Sequence, residues 1–252
     1  MDQALRDPAV KNREVIAETF AFLLHNSPKA NASDLWHHVV YRLYCRLLNR
    51  YKPQNPNQSW VRASGEALEL FVEHWYSGLL EPYGIDITAL ISRESKRRVL
   101  VEMGLGAEVG DSKLDVALYL RAKNSDRIVI GGVHVKASLA ERVSDDVPAS
   151  RAMMRKGHFS PLWTLDVKSF PDGDLVNRGE LGTPESPSEK RKYIEEHGEF
   201  DNCYSANSRS VASKGQTRSG KRIYTINLSE QPDQFARDLI SHARPWKKRG
   251  SS

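Results

Sequence analysis

An aspartate and a lysine flank two apolar segments that follow each other closely in the sequence. Asp115 opens the segment 115–120, and Lys136 follows the segment 127–135. Both segments are rich in aliphatic and aromatic residues with polar turn residues between them, so they are predicted to form adjacent strands. An Asp and a Lys at one edge of a sheet can bind a divalent cation and orient an attacking water. The pair therefore predicts metal-dependent hydrolysis, and a structural hairpin with incidental charges is the alternative.

The order of these residues indicates which bond would be hydrolysed. Cutting a phosphodiester requires a nucleophilic water and positive charge beside the phosphate, which Mg²⁺ on carboxylates and a nearby lysine can supply. The nuclease pattern PD-(D/E)xK has an Asp on one strand and an acid two residues before a lysine on the next. Here His134 stands in place of the second acid, so the pattern lacks one carboxylate. Its side chain is expected on the same face as Lys136, because side chains alternate along a strand.

A predicted helix that starts near Ser59 offers the missing carboxylate. Glu66, Glu69 and Glu73 are spaced by three and four residues, so they share one helix face. One of them is expected to reach the site and bind the metal together with Asp115. The alternative is an acidic helix face that is exposed to solvent.

A second stretch also has an acid two residues before a lysine. It is Asp166-Val-Lys168, with Asp145 or Asp146 upstream. Two prolines and a predicted helix, 148–156, separate the upstream acids from Asp166. The upstream acid is therefore expected in a loop rather than on a paired strand, and the pair of Asp115 with Lys136 is preferred.

Hydrophobic periodicity and turn residues predict the remaining elements. Helices are predicted over 12–24, 35–47 and from 59 onward, and the polar segment 51–59 is the candidate linker. Further along, strands are predicted over 161–167 and 222–228, an exposed loop over 202–220, and a closing helix over 234–242 before a basic tail. This order predicts an α/β (α+β) fold, with a mixed β-sheet core flanked by helices and a helical N-terminal region.

Composition and charge exclude several classes of protein. No apolar run approaches the roughly 20 residues that span a membrane, and the N-terminus lacks the apolar core of a signal peptide. Cys45 and Cys203 have no CxxC spacing, which argues against a structural zinc site and predicts free thiols in a reducing cytoplasm. The formal net charge of +5 on 252 residues modestly favours a polyanionic partner such as DNA or RNA.

Two segments of the chain resemble a known family. The stretch from Lys136 to Ser150 resembles the segment after the catalytic lysine in the type II restriction endonuclease BsaWI and its relatives. The stretch 58–69, with Ser-Trp followed by Ser-Gly-x-Ala-x-Glu, resembles a helix of that family. The predicted strand pair lies between them in the expected order, and the resemblance covers roughly residues 30–170.

The resemblance implies a Mg²⁺-dependent endonuclease that acts on double-stranded DNA, with a restriction-endonuclease-like core. It assigns Glu69, Asp115 and Lys136 to the active site, with Glu69 and Asp115 as metal ligands. Glu66 falls where the family tolerates other residues. The family has no acid two residues before the lysine, so His134 is no longer an objection.

The resemblance also implies which residues read the DNA. Relatives that read a CCGG core use an Arg and an Asp shortly after the lysine, which Arg142 and Asp146 match in position. An Arg can donate two hydrogen bonds to guanine, and an Asp can accept one from cytosine N4. Val147 stands where relatives often have another Arg, so the base sequence is left open. A surface salt-bridge cluster that includes Glu141 and Asp145 is the alternative.

Other polar residues are candidate contacts to phosphates or base edges. Ser138 and Arg151 are candidates on the two sides of the proposed reading segment. The basic loop 208–222 and the tail 247–249 can track phosphates or can be solvated coil.

Together these features predict the organisation of the whole protein. Residues 1–58 are predicted as a helical N-terminal region and 59–252 as the catalytic domain. A homodimer is expected, because a palindromic site matches a two-fold symmetric protein. The family further implies a cognate DNA methyltransferase in a prokaryotic host, not as a stable subunit, and no membrane partner. A repair or structure-specific nuclease and a non-catalytic DNA-binding protein remain the alternatives.

Overall fold

A mixed six-stranded β-sheet forms the centre of the fold, and its strands follow in space the order of the chain. The computed structural model describes residues 1–2, 5, 10–51, 56–110, 113–122, 126–140, 143–168 and 177–249. The first three strands pair antiparallel, and the pairs from β3 to β6 are parallel. The strands are β1 (Ile85–Ala89), β2 (Val116–Arg121), β3 (Arg127–Lys136), β4 (Leu162–Thr164), β5 (Cys203–Ser205) and β6 (Ile223–Thr225).

Helices precede the sheet and then alternate with its later strands. They are α1 (Asn12–Asn26), α2 (Ala32–Asp34), α3 (Arg42–Tyr51), α4 (Pro56–Leu80), α5 (Arg93–Glu102), α6 (Val143–Arg155), α7 (Glu189–Glu195) and α8 (Gln234–Arg249). A π-helical segment, Leu35–Tyr41, joins α2 to α3, and a 3₁₀ turn, Glu81–Tyr83, follows α4. Among the described residues, no helix is both long and apolar enough to cross a membrane.

Strand β2 is buried on both faces of the sheet. Val116, Leu118 and Leu120 belong to the large core that the N-terminal helices share. Ala117 and Tyr119 point to the other face, into a second cluster with residues of α5 and α6. Burial on both sides explains why the sequence of this strand is a continuous apolar run rather than an alternating one.

The N-terminal helices share their core with the sheet. Phe20 of α1 contacts Phe71 of α4, with ring centroids 4.6 Å apart, and Phe71 lies 6.2 Å from Trp163 of β4. The predicted boundary near residue 58 therefore lies within one core rather than between two. Residues 52–55 of the predicted linker lie outside the described residues, and 56–59 belong to the start of α4 rather than to a linker. The division into two regions stays a prediction.

The helix after Lys136 begins earlier than the sequence predicts. It starts at Val143 and contains Pro148, whereas the predicted helix started at Pro148. Asp145 and Asp146 occupy the first turn, where negative charge is favourable because of the helix dipole. The expectation that these two acids lie in a loop is therefore wrong.

The polar segment 202–220 is only in part the exposed loop that its composition predicts, since most of 208–220 is exposed but the segment also has buried parts. It contains β5, an interior strand of the sheet, and its Asn207, Ser210 and Ser213 are buried. Their polar groups are satisfied within the protein; for example, the Ser210 hydroxyl donates to Asp166 Oδ2 at 2.5 Å. Composition alone misses this because buried polar residues become stable only through tertiary hydrogen bonds.

The last helix is longer than predicted. It runs to Arg249, past Pro245 and into the predicted basic tail. Ala243 is buried, and the ring of Trp246 stacks on His158 with centroids 5.6 Å apart. These tertiary contacts hold the additional turns of the helix.

Candidate active site

Asp115 lies immediately before β2. The backbone of β3 and the packing of the preceding residue, Leu114, fix its position. Its Oδ2 accepts a hydrogen bond from the backbone N–H of Val135 on β3 at 2.9 Å. Leu114 packs against Gly132, where an added Cβ would lie 2.2 Å from the Leu114 side chain. A glycine at 132 is therefore needed for Leu114 to pack as it does, and this packing sets the position of Asp115.

Lys136 ends β3 beside Asp115, as the sequence predicts. Its Nζ donates to Asp115 Oδ2 at 2.8 Å and lies 2.8 Å from Asp146 Oδ2 on α6. Burial by itself would lower the pKa of Lys136, but the charges of Asp115 and Asp146 outweigh it and raise this pKa above its ordinary value. Lys136 is therefore a fixed cation in this arrangement and not a proton acceptor.

Glu69 of α4 lies close enough to Asp115 and Lys136 for their charges to interact with it. Only 8% of the residue is exposed, and within the described residues its Oε2 has no hydrogen-bond partner. Burial, followed by the charge of Asp115, raises the pKa of Glu69 to about 8. The other two acids on this helix have separate tasks, since Glu66 pairs with Arg13 at 2.5 Å and Glu73 accepts from the Ala89 N–H at 2.9 Å.

Asp146 and His134 are buried next to Lys136. Asp146 is 4% exposed, and its Oδ2 lies 3.7 Å from His134 Nδ1. The other ring nitrogen of His134 lies 3.1 Å from the hydroxyl of Ser160, which donates to Ser150 at 2.7 Å. Burial lowers the pKa of His134, which favours its neutral form. His134 therefore lies behind the site and not at its surface.

Sequence reasoning missed a second lysine at this site, Lys96. Nζ of Lys96, on α5, is 3.7 Å from Asp115 Oδ1, and the Lys96 side chain is only 15% exposed. Burial by itself would raise the pKa of Asp115, but the charges of Lys136 and then Lys96 outweigh it and lower this pKa. No sequence pattern singles out Lys96, because it stands within a run of basic residues that is typical of an exposed helix.

The predicted DNA-contacting residues are only partly described. Arg142 lies outside the described residues. Ser138, two residues after Lys136, donates a hydrogen bond to Glu180 Oε1 at 3.1 Å. Arg151 forms a two-point ion pair with the buried Glu199. Their roles in DNA binding stay predictions.

In the competing acid-x-Lys stretch, Asp166 is a buried acid that holds neighbouring loops together. Asp166 follows β4 in the left-handed region, with φ of 47°, and is fully buried. It accepts from the backbone N–H of Glu180 at 2.7 Å and from the Ser210 hydroxyl. Its carboxylate is thus used to hold two loops, which is consistent with the preference for Asp115 and Lys136.

The carboxylate pair fits a Mg²⁺ ion. Mg²⁺ is commonly held by one or two carboxylates, with waters and substrate phosphates completing an octahedron. Glu69 and Asp115 supply two oxygen donors, and the unpartnered Oε2 of Glu69 is a buried acceptor without a proton donor in the described part of the chain. The same part holds no group of three or more His, Cys, Asp or Glu side chains suited to a metal. A metal here would thus need ligands from solvent or DNA.

Three comparisons place this geometry among known proteins. Residues 91–232 match the model of the protein family described as BsaWI restriction endonuclease type 2. The type II restriction enzyme AgeI of Thalassovita gelatinovora is 48% identical over 241 residues, which cover 93% of this chain and 85% of AgeI. The crystal structure of the specific restriction endonuclease AgeI–DNA complex superimposes with a TM-score of 0.90 at 46% identity, covering 96% of this chain and 88% of that one. The predicted mixed-sheet fold is confirmed by this similarity.

Proposed function

Because this chain belongs to the BsaWI family of type II restriction endonucleases, we propose that it cuts a short palindromic DNA site with Mg²⁺ held by Glu69 and Asp115. Membership of the family confirms the predicted enzyme class, a type II site-specific deoxyribonuclease. The metal, the site residues, the base sequence and the dimer are the parts that we propose.

One observation carries the assignment of the active site. Asp115, Lys136 and Glu69 come from a strand start, a strand end and a helix, and they converge although up to 67 residues separate them in the sequence. Two carboxylates and an ammonium group where the start of β2 meets the end of β3 match the groups that phosphodiester hydrolysis requires. A buried pair of acids is costly without a function, since each raises the energy of ionising the other.

Each residue has a separate task in the proposed reaction. Bound Mg²⁺ would supply positive charge to the phosphate and acidify a water. Glu69 and Asp115 would hold that ion, Glu69 with its unpartnered Oε2 and Asp115 with Oδ1, which accepts no hydrogen bond from Val135 or Lys136. Lys136, held as a cation by Asp115 and Asp146, orients the attacking water and balances the charge that develops on the phosphate. The leaving oxygen takes its proton from solvent.

Recognition is assigned to the segment after Lys136. Arg142 would donate two hydrogen bonds to a guanine, and Ser138 and Arg151 would contact phosphates or base edges. A CCGG-type core is the proposed target, with Val147 as the position at which this chain departs from relatives that carry another Arg. Asp146 is the candidate acceptor for cytosine N4, and its contact with Lys136 gives it a second candidate role in cleavage.

The assembly follows from the expected symmetry of the target. Two copies would each cut one strand, since a palindrome presents the same half-site twice. A separate DNA methyltransferase would protect the same sequence in the cytoplasm of a prokaryotic host.

Digestion of DNA of known sequence tests the proposal. With Mg²⁺, discrete fragments whose sequenced ends share one palindrome are expected. Asp115→Ala should bind the same DNA in Ca²⁺ but leave it intact. Smeared products would contradict site-specific cutting, branch- or end-directed products would favour a repair nuclease, and unchanged cutting by Asp115→Ala would overturn the assigned site.

A further inference from the structure

Lys96 is the one basic residue of α5 that turns toward the carboxylate pair. Arg93, Arg97 and Arg98 of the same helix are exposed to solvent. The Lys96 side chain is 15% exposed, and its Nζ lies 3.7 Å from Asp115 Oδ1. A lysine is seldom buried without a function or a close partner, because desolvating its charge is costly.

Local structure fixes Lys96 in this place. A capping box at Ser92 starts α5, with the Ser95 N–H donating to the Ser92 hydroxyl at 3.0 Å. Leu100, one turn after Lys96, is fully buried in the cluster that contains Leu114, the neighbour of Asp115. Because residues four apart lie on one helix face, Lys96 faces the segment that carries Asp115.

The two lysines of the site are held very differently. Lys136 lies 2.8 Å from a carboxylate oxygen of both Asp115 and Asp146. The ion pair of Lys96 is longer, 3.7 Å, and exceeds the length of a hydrogen bond. Lys136 is thus locked by two carboxylates, whereas Lys96 keeps ammonium protons for a further acceptor.

Lys96 also faces the oxygen that a metal would take. Asp115 Oδ2 already accepts from Val135 and Lys136, so Oδ1 is its open oxygen. A divalent ion that binds Oδ1 would repel the ammonium group beside it and turn that group toward another anion. The phosphate that the same ion holds would then be an anionic group without a cation of its own from Lys136, which two carboxylates already hold.

We propose that Lys96 holds Asp115 in the metal-free enzyme and, once metal and DNA are bound, contacts a non-bridging oxygen of the scissile phosphate. This inference rests on the proposed function, since it requires metal and phosphate at Asp115. It makes Lys96 a positioning residue in the free enzyme and a direct phosphate ligand during cleavage.

The proposal predicts effects of opposite sign on metal binding and on cutting. In Lys96→Met, removal of a competing cation should tighten binding of Mn²⁺ to the DNA-free protein several-fold, as measured by calorimetry. Single-turnover cleavage at saturating Mg²⁺ should slow by about a hundredfold, as for other lost transition-state donors. In Ca²⁺, the slope of log affinity against log salt should become less steep by about 0.9, the value for one phosphate contact.

Controls separate this role from a purely structural one. Arg98→Met removes an exposed cation of the same helix, paired with Glu94 at 3.3 Å, and should leave Mn²⁺ binding and the cleavage rate unchanged. Lys96→Arg keeps the charge and should restore most of the salt slope. Unchanged cleavage and an unchanged slope in Lys96→Met would overturn the proposal, and so would weaker Mn²⁺ binding together with a lower melting temperature. Cutting by Asp115→Ala in the same assay would instead overturn the proposed active site.

Discussion

Oδ2 of Asp146 lies 2.8 Å from Nζ of Lys136, the same distance that separates this nitrogen from Oδ2 of Asp115. The Asp146 side chain is 6% exposed, with His134 behind it. This contact gives the Asp146 carboxylate a place among the cleavage residues, beside the contact to a base that the sequence predicts. The structure thus connects α6, which carries the predicted reading residues Asp146 and Arg151, directly to the cleavage residues.

Asp146→Asn should distinguish a role in cleavage from a role in base reading. The amide keeps the shape of the side chain but loses the charge that holds Lys136, so cleavage should slow by about tenfold or more while the cut sequence stays the same. Single-turnover rates and sequenced fragment ends measure both. Glu108→Gln, which removes a surface carboxylate paired with Arg155 of the same helix, is the control. A relaxed base preference with a normal rate would instead support base reading.

Glu69→Gln should abolish cutting and change how stability depends on pH. Burial and Asp115 raise the pKa of Glu69 from 4.5 to about 8 in the folded protein. The raised pKa favours folding most below pH 4.5, and this stabilisation is lost as the pH rises through about 8. The variant lacks this loss, so its free energy of unfolding relative to wild type should rise between mildly acidic and alkaline pH. A rise of at least about 1 kcal/mol is expected, since one pKa unit corresponds to about 1.4 kcal/mol.

Urea unfolding of wild type and Glu69→Gln in EDTA, once at mildly acidic and once at alkaline pH, measures this change in relative stability without bound metal. Glu66→Gln removes a carboxylate from the same helix that is ion-paired with Arg13, and it serves as the control. Parallel stability profiles for wild type and Glu69→Gln would show that Glu69 does not titrate as the buried geometry requires.

Arg142 and Arg151 should respond differently to replacement by alanine. Arg142→Ala should weaken specific binding by about 1–3 kcal/mol and relax the preference at one base position, as expected for a two-point contact to guanine. Arg151→Ala leaves the buried Glu199 without its partner, so it should lower the melting temperature. Binding to a randomised DNA library in Ca²⁺ and thermal unfolding measure the two effects. An unaltered base preference in Arg142→Ala would contradict the assignment.

Phe20→Ala should destabilise the whole protein and not only its N-terminal helices. Phe20 is fully buried between Trp36 and Phe71, at ring distances of 4.9 and 4.6 Å. Loss of such a ring costs about 3–5 kcal/mol. Because the core continues into the sheet, unfolding should remain a single transition at lower urea. Phe22→Ala, whose ring is 65% exposed, should change little. A separate early transition in Phe20→Ala would show that the N-terminal region is an independent domain.

Several features of this protein were predictable because they depend on local sequence. The apolar runs that form β2 and β3 place Asp115 and Lys136 at a strand start and a strand end, and hairpin geometry brings such ends together. Helical spacing predicted α1 and α4, and with α4 a face that carries Glu69. Resemblance of two short segments then selected Glu69 over Glu66, and the structure buries Glu69 while it pairs Glu66 at the surface.

Other features were decided only by the tertiary structure. The presence of Lys96 at the site depends on how α5 packs against the segment before β2, and no local pattern encodes that packing. The contact of Asp146 with Lys136 likewise depends on where α6 begins, which Pro148 made the sequence place too late. A sequence specifies which ionisable group each residue carries. Only the fold determines which charges share a buried space, and there the cost of desolvation makes the partner, not the residue type, decide what each group can do.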